Sequence, residues 1–320
     1  MKYTTLGKSG LIVSNICLGT MAFGRWIDEQ ASLRIVDEAL DCGINFIDTA
    51  DLYGKGQDMP YIHGTGDSER ILGKALKGRR DKVVLATKVG ATMGDYPNLR
   101  GYSRMHIMDE IDQQLLRLQT DHIDLYQLHS YHDTVPLEET LRTLDDLVRA
   151  GKVRYIGCSN YMAWQIAKAN GVADKMGLEQ FVSVQPQYNL LSRDIEKELL
   201  PFCVHEGVGA VAYSPLARGM LSGKYTSPDD LPEGSRGAQG EELLFGYFSD
   251  HNFELVAQYR ILAQECGVTL SQFATAFVLN QPGITSAIVG ASKPYHVTEA
   301  AQISEWTWND ELMEKVRSIR

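Results

Sequence analysis

No two of the five cysteines form a CxxC pair, and the odd, scattered set Cys17, Cys42, Cys158, Cys203 and Cys266 suits neither a disulfide framework nor a zinc knuckle. A reducing cytoplasm is the expected compartment. No stretch reaches the roughly 18 apolar residues of a membrane span, and residues 1–7 lack the apolar run of a secretory leader. Neither membrane insertion nor secretion is expected. Positive charge is also short: 31 Lys and Arg stand against 41 Asp and Glu, and a formal charge of −10 argues against a nucleic-acid or anionic-membrane surface.

Nucleotide-binding glycine signatures are missing too. Gly54-Lys55-Gly56 and Gly64-Thr65-Gly66 neither follow an apolar strand nor carry a third glycine, and Lys8-Ser9 lacks the upstream glycine of a phosphate loop. His129, His132 and Asp133 have no His-x-His or supporting carboxylate pattern, so no metal site is expected. With no low-complexity tract, 44% hydrophobic and 22% charged residues describe an ordinary globular chain that can bury a large core.

What is present alternates. After a Gly7-Lys8-Ser9-Gly10 turn, read as a short N-terminal hairpin, apolar runs recur at residues 16–19, 45–48, 83–88, 123–129, 155–159, 183–185, 209–214 and 286–289. Between them lie amphipathic stretches. One carries Met108, Ile111, Leu115 and Leu118, and another carries Leu137, Leu141, Leu144 and Val148 before a stop at Gly151. Eight strands alternating with helices and no linker predict a single (β/α)8 TIM barrel over residues 1–320. Three long connections, 52–67, 89–105 and 215–250, are expected on the carboxyl-end rim, where they would shape access to the barrel mouth.

Three of these strands end in ionisable residues: Asp48, Lys88 and His129. Buried parallel strands are otherwise nearly all apolar, so charges at their carboxyl ends point to a shared catalytic rim. Tyr53 follows Asp48 by five residues and can reach the same mouth. An ammonium ~4 Å from a phenol favours its ionised form by several kcal/mol at intermediate dielectric. Burial opposes that shift, and Asp48 would hold Lys88 protonated. His129 could then hydrogen-bond the carbonyl oxygen that Tyr53 protonates.

Asp48-Thr49-Ala50 with Tyr53-Gly54, Thr87-Lys88, the run from Asp121 to His129, and Gly157-Cys158-Ser159-Asn160 together resemble the aldo-keto reductase family along nearly the whole chain. The resemblance implies a nicotinamide-dependent carbonyl reductase with Asp48, Tyr53, Lys88 and His129 as its catalytic tetrad. By the same resemblance Ser159, Asn160 and Gln185 would bind the nicotinamide carboxamide, and Tyr213 would stack on its ring. Ser214, Leu216, Arg218 and Gly219 would lie along the pyrophosphate. Gly290, Ser292, Lys293, His296 and Glu299 would hold the adenosine end, with Lys293 on the 2′-phosphate.

Two departures stand out. His296 and Ala300 replace residue types common in the family, so NADP(H) is the implied cofactor with NAD(H) open. Residues 55–67 are longer than the usual link, and this insertion is read as part of a substrate loop. Trp26, Tyr61 and His132 are the candidate substrate-lining residues, for a small carbonyl or alcohol. Potassium-channel β-subunits are similar barrels, which leaves a cofactor-binding regulatory subunit as the alternative. A Schiff-base aldolase using Lys88 is a further enzyme class, separable by borohydride trapping. Oligomeric state is open.

Overall fold

The computed structural model describes residues 1–55 and 63–319. Eight parallel strands close into a barrel: β3 (Ile16–Gly19), β4 (Phe46–Asp48), β5 (Val84–Val89), β6 (Ile123–Leu128), β7 (Val153–Ser159), β8 (Phe181–Gln185), β9 (Gly209–Ala212) and β10 (Ile284–Gly290). β10 pairs with β3 to complete the ring. Ahead of it, β1 (Tyr3–Thr5) and β2 (Ile12–Ser14) form the expected antiparallel hairpin. Every expected strand is present. The ends differ by a few residues, and Tyr213 and Ser214 lie beyond β9 instead of within it.

Helices α1 (Glu29–Asp41), α2 (Asp67–Ala75), α3 (Arg104–Leu118), α4 (Leu137–Arg149), α5 (Ala163–Met176) and α6 (Leu199–Glu206) each follow one of the first six barrel strands. After β9 come α7 (Glu242–Phe245), α8 (Asp250–Glu265) and α9 (Leu270–Leu279); α10 (Pro294–Ala301) and α11 (Asp310–Ser318) end the chain. Side-chain oxygens of Asp28, Ser103, Ser249, Thr269 and Asn309 accept N–H groups at helix starts, satisfying donors that the helix itself leaves unpaired. The stripe of α4 behaves as its spacing predicts: Leu141 and Leu144 are fully buried, and Leu137 and Val148 flank them. The expected loop 215–250 is not wholly irregular, since it contains the tight turns of Ala217–Ser222 and all of α7.

Side-chain alternation explains the inside of the barrel. Phe46, Val84, Ala86, Leu125, Val211 and Ile288 form an inner apolar layer, plugged by Leu6 and Val13 of the hairpin. Two residues further along their strands, on the same face, come Asp48 after Phe46, Lys88 after Ala86, and Gln127 then His129 after Leu125. The intervening Ile47, Leu85, Tyr126 and Leu128 join the core cluster on the other side, beneath the helices. Polar groups thus form a layer stacked on an apolar plug.

Gly73 marks a close contact between two helices. A Cβ there would sit 2.5 Å from the Arg117 carbonyl oxygen on α3, so α2 and α3 approach as closely as they do only without a side chain. Gly73→Ala is expected to lose about 1–3 kcal/mol by overpacking, measured by urea unfolding. Among the described residues no helix is long and apolar enough to cross a membrane.

Candidate active site

Lys88 is fully buried at the end of β5, and its ammonium has three donors to place. One goes to Asp48 Oδ2 at 2.5 Å, one to the Thr49 carbonyl oxygen at 3.0 Å and one to Tyr53 Oη at 3.2 Å. The phenol oxygen therefore accepts from Lys88, and its own proton is not used in that contact. Asp48 is fixed on its other oxygen, where Oδ1 accepts from Gln185 at 2.8 Å and from Gln127 at 3.2 Å. Its attraction raises the Lys88 pKa against the opposing effect of burial, so the ammonium stays charged.

The Tyr53 phenol lies above its ordinary value of 10, not below it. Burial is the largest cause and outweighs Lys88, while Asp48 adds to the rise. The expected acidification by Lys88 is present but loses to desolvation. Across neutral pH the phenol remains a loaded proton donor. His129 meets the Tyr53 ring edge-on with centroids 6.0 Å apart. Burial first, and Lys88 second, push its imidazole down to about 3. It is a neutral hydrogen-bonding group, not a cation.

The next shell is continuous with these four. Ser159 Oγ donates to the Gln185 carbonyl oxygen at 2.9 Å, and Asn160 Nδ2 donates to the His129 carbonyl oxygen at 3.0 Å. Tyr213 Oη donates to Asn160 Oδ1 at 2.9 Å. Asn160 holds a left-handed backbone, φ 59°, which turns its amide back across the strand ends. Ser159, Asn160, Gln185 and Tyr213 are thus brought together beside the quartet, and one amide of Gln185 is already committed to Asp48.

Beyond them Ser214, Ala217, Arg218 and Gly219 all have positive φ, a concentration of strained backbone typical of ligand loops. Ala217 and Gly219 use their N–H groups within the loop, on Ser214 and Leu216. A cation cluster surrounds it. Arg218 pairs with Glu241 at 2.9 Å and Arg236 pairs with the same carboxylate at 3.4 Å. Burial and neighbouring positive charge depress both Arg236 and Lys224. Lys224 and Lys293 in turn bear on His296, whose Nδ1 accepts from the Ser292 N–H at 3.3 Å. Lys293 caps α10 in front of Pro294, and a Cβ at Gly290 would lie 3.7 Å from Arg236. Glu299 accepts from Thr269 Oγ1 at 2.6 Å, and its charge also bears on His296. Positive charge is thus gathered in one place in an otherwise acidic chain.

Of the substrate candidates, Trp26 carries two guanidinium groups near its ring, Arg25 at 4.2 Å and Arg236 at 4.7 Å. His132 is exposed and bonds Ser130 Oγ at 3.0 Å. Tyr61 lies outside the described residues, as does much of the 55–67 insertion. Sequence reasoning missed the Thr49 carbonyl, Gln127, Lys224, Arg236 and Glu241. Gln127 had a signal, a polar residue in the apolar run Leu125-Tyr126-Gln127-Leu128. Arg236 and Glu241 had none, because their loop has no period.

A sequence profile of the aldo/keto reductase family matches residues 15–320. The chain is 35% identical to the aldo-keto reductase YhdN of Bacillus subtilis, over 100% of this chain and 93% of that protein. It is 34% identical to the versiconal hemiacetal acetate reductase of Aspergillus parasiticus, over 94% and 91%. To a putative voltage-gated potassium channel subunit beta of Schizosaccharomyces pombe it is 36% identical, over 98% and 92%. An eight-stranded barrel with a charged mouth and a match over nearly its whole length identify this chain as a member of the aldo/keto reductase family.

Proposed function

We propose that this protein reduces an aldehyde or ketone to an alcohol, reversibly and with NADP(H), using Tyr53 as general acid. Membership of the family supports carbonyl oxidoreductase chemistry; the cofactor, the direction and the residue roles are our reading. The single observation that carries it is the geometry at Lys88, whose three donors end on Asp48, Thr49 and Tyr53, so that the phenol oxygen accepts and its own proton is not spent on Lys88.

The residues present suit a phosphorylated dinucleotide. Ser159, Asn160, Gln185 and Tyr213 would hold and orient a nicotinamide. The strained turns from Ser214 to Gly219, with Arg218, Lys224 and Arg236, would take the phosphates, and Lys293, His296 and Glu299 the far end. Bound there, a reduced nicotinamide supplies a hydride equivalent to the carbonyl carbon. Tyr53 gives its proton to the carbonyl oxygen, Lys88 stabilises the phenolate left behind, Asp48 keeps Lys88 charged, and neutral His129 donates to or orients the same oxygen.

Side-by-side titration with NADPH and NADH, followed by a panel of carbonyl substrates, tests this reading. NADPH is expected to bind more tightly, and multiple turnovers are expected with at least one aldehyde. Lys293→Met is expected to weaken NADPH by about 10-fold, the ~1.5 kcal/mol of a charge-assisted contact, and to leave NADH unchanged. A second reading, a cofactor-binding regulatory subunit, is favoured by the likeness to the Schizosaccharomyces pombe protein. Stoichiometric NADPH binding without turnover on any panel member would support it.

A further inference from the structure

Asp51 is fully buried three residues beyond Asp48, has no cation among the described residues bonded to it, and accepts hydrogen bonds from three backbone N–H groups. Its Oδ1 takes the N–H of Leu52 at 2.7 Å, in the segment that delivers Tyr53. Its Oδ2 takes those of Gly90 and Ala91 at 3.0 and 3.1 Å, where the chain leaves β5 just past Lys88. Main-chain bonds continue the seam. The Asp51 N–H reaches the Lys88 carbonyl oxygen at 3.2 Å, and Gly66 N–H reaches the Asp51 carbonyl oxygen at 2.9 Å.

We propose that Asp51 is a positioning residue: its carboxylate ties the Tyr53 segment to the mouth of β5 and so sets the phenol against the Lys88 ammonium. This inference rests on Tyr53 being the acid proposed above. Tyr53 lies in the turn after β4, and Lys88 belongs to the barrel wall. Their 3.2 Å contact requires that turn to be held to β5, and the Asp51 side chain joins the main-chain bonds that link the two.

The surroundings make the tie sensitive to pH. Glu69 on α2 and Glu110 on α3 face Asp51, with Arg117 bonded to both of them and Arg70 beside Glu110. The phenols of Tyr102 and Tyr126 also face it, and Lys88 turns its ammonium away to Asp48. Burial, then Glu110 and Glu69, push the Asp51 carboxyl up to about 8 against the pull of the Gly90 and Ala91 N–H groups. Below that pH the protonated acid keeps one good acceptor oxygen. Above it, both oxygens accept at full strength.

The folded carboxyl lies above its ordinary 3.8, so its contribution to folding stability is complete below about 3.8 and is lost as pH rises from there through about 8. Asp51→Asn, neutral and of the same size, is therefore expected to fold at least as well as the parent above that pH. It places an NH2 against an N–H and fixes the weaker tie.

For the parent protein, kcat for carbonyl reduction is expected to rise as pH passes through about 8. In Asp51→Asn this rise is expected to disappear, leaving kcat about 10- to 100-fold lower above it, as for a small misplacement of a reacting group. NADPH affinity is expected to hold. Ultraviolet difference titration against Tyr53→Phe isolates the Tyr53 ionisation, which is expected to move up by about one unit in Asp51→Asn as Lys88 loses its hold. A parent kcat without that rise, a variant that keeps it, parallel loss of NADPH binding, or an unmoved Tyr53 ionisation would overturn the proposal. If the parent reduces no carbonyl at all, the catalytic reading fails, and the Tyr53 titration still decides whether Asp51 sets the contact with Lys88.

Discussion

Tyr53→Phe is expected to lower carbonyl reduction by at least about 10³-fold, within the range attributed to a positioned general acid, and to leave NADPH binding nearly unchanged. The substitution removes one oxygen. Phe keeps the ring in edge contact with His129, so the mouth retains its shape. What is lost is the proton that Lys88 leaves available by donating to the phenol oxygen. His129 cannot replace it, because an imidazole pushed down to about 3 carries no acidic proton at neutral pH. The parent's pH profile should agree: between about pH 5 and pH 9 no limb is expected from His129, and reduction should fall only where Tyr53 ionises, above its ordinary 10. Single-turnover rates with a substituted benzaldehyde, beside fluorescence titration of NADPH, check the split. Undiminished turnover in this variant would remove Tyr53 from the mechanism.

Lys88→Met is expected to affect both turnover and the fold. Lys88 and Asp48 are a buried pair, 0% and 2% exposed, and removing one partner of such a pair costs about 3–5 kcal/mol by leaving the other charge uncompensated. Gln127 and Gln185 still donate to Asp48, which places the expected loss at the lower end of that range. Tyr53 loses the cation that stabilises its phenolate, so turnover should fall at least as far as in Tyr53→Phe. The stability carried by the pair should not titrate near neutrality. The folded Lys88 pKa lies above its ordinary 10.5, so its contribution is complete below that pH and is lost only as pH rises through the higher folded value. Urea unfolding at pH 7 and pH 9 should therefore give the same difference between parent and variant. A variant as stable as the parent would show that the pair contributes little to folding.

Much of this molecule was legible from residue order alone. Strand and helix periods announced an eight-fold alternation, because a strand buried on both sides must be apolar and a covering helix must be apolar on one side. Asp48, Lys88 and His129 stood out for the same reason, as ionisable groups interrupting apolar runs at strand ends. Their common face follows from period two, since each stands an even number of residues from an inner-layer side chain such as Phe46, Ala86 or Leu125.

The chain by itself determined which strands exist, that their ends carry ionisable groups, and which family they resemble. Only the tertiary structure decided how those groups divide their hydrogen bonds. That Lys88 spends all three donors, that Gln185 is drawn to Asp48, that Arg218 and Arg236 share Glu241, and that Tyr53 is pushed up and not down depend on distance and burial among residues remote in sequence. Periodicity reports the side of an element on which a residue lies. The partner it meets there, and the water excluded around it, are fixed only when the barrel closes.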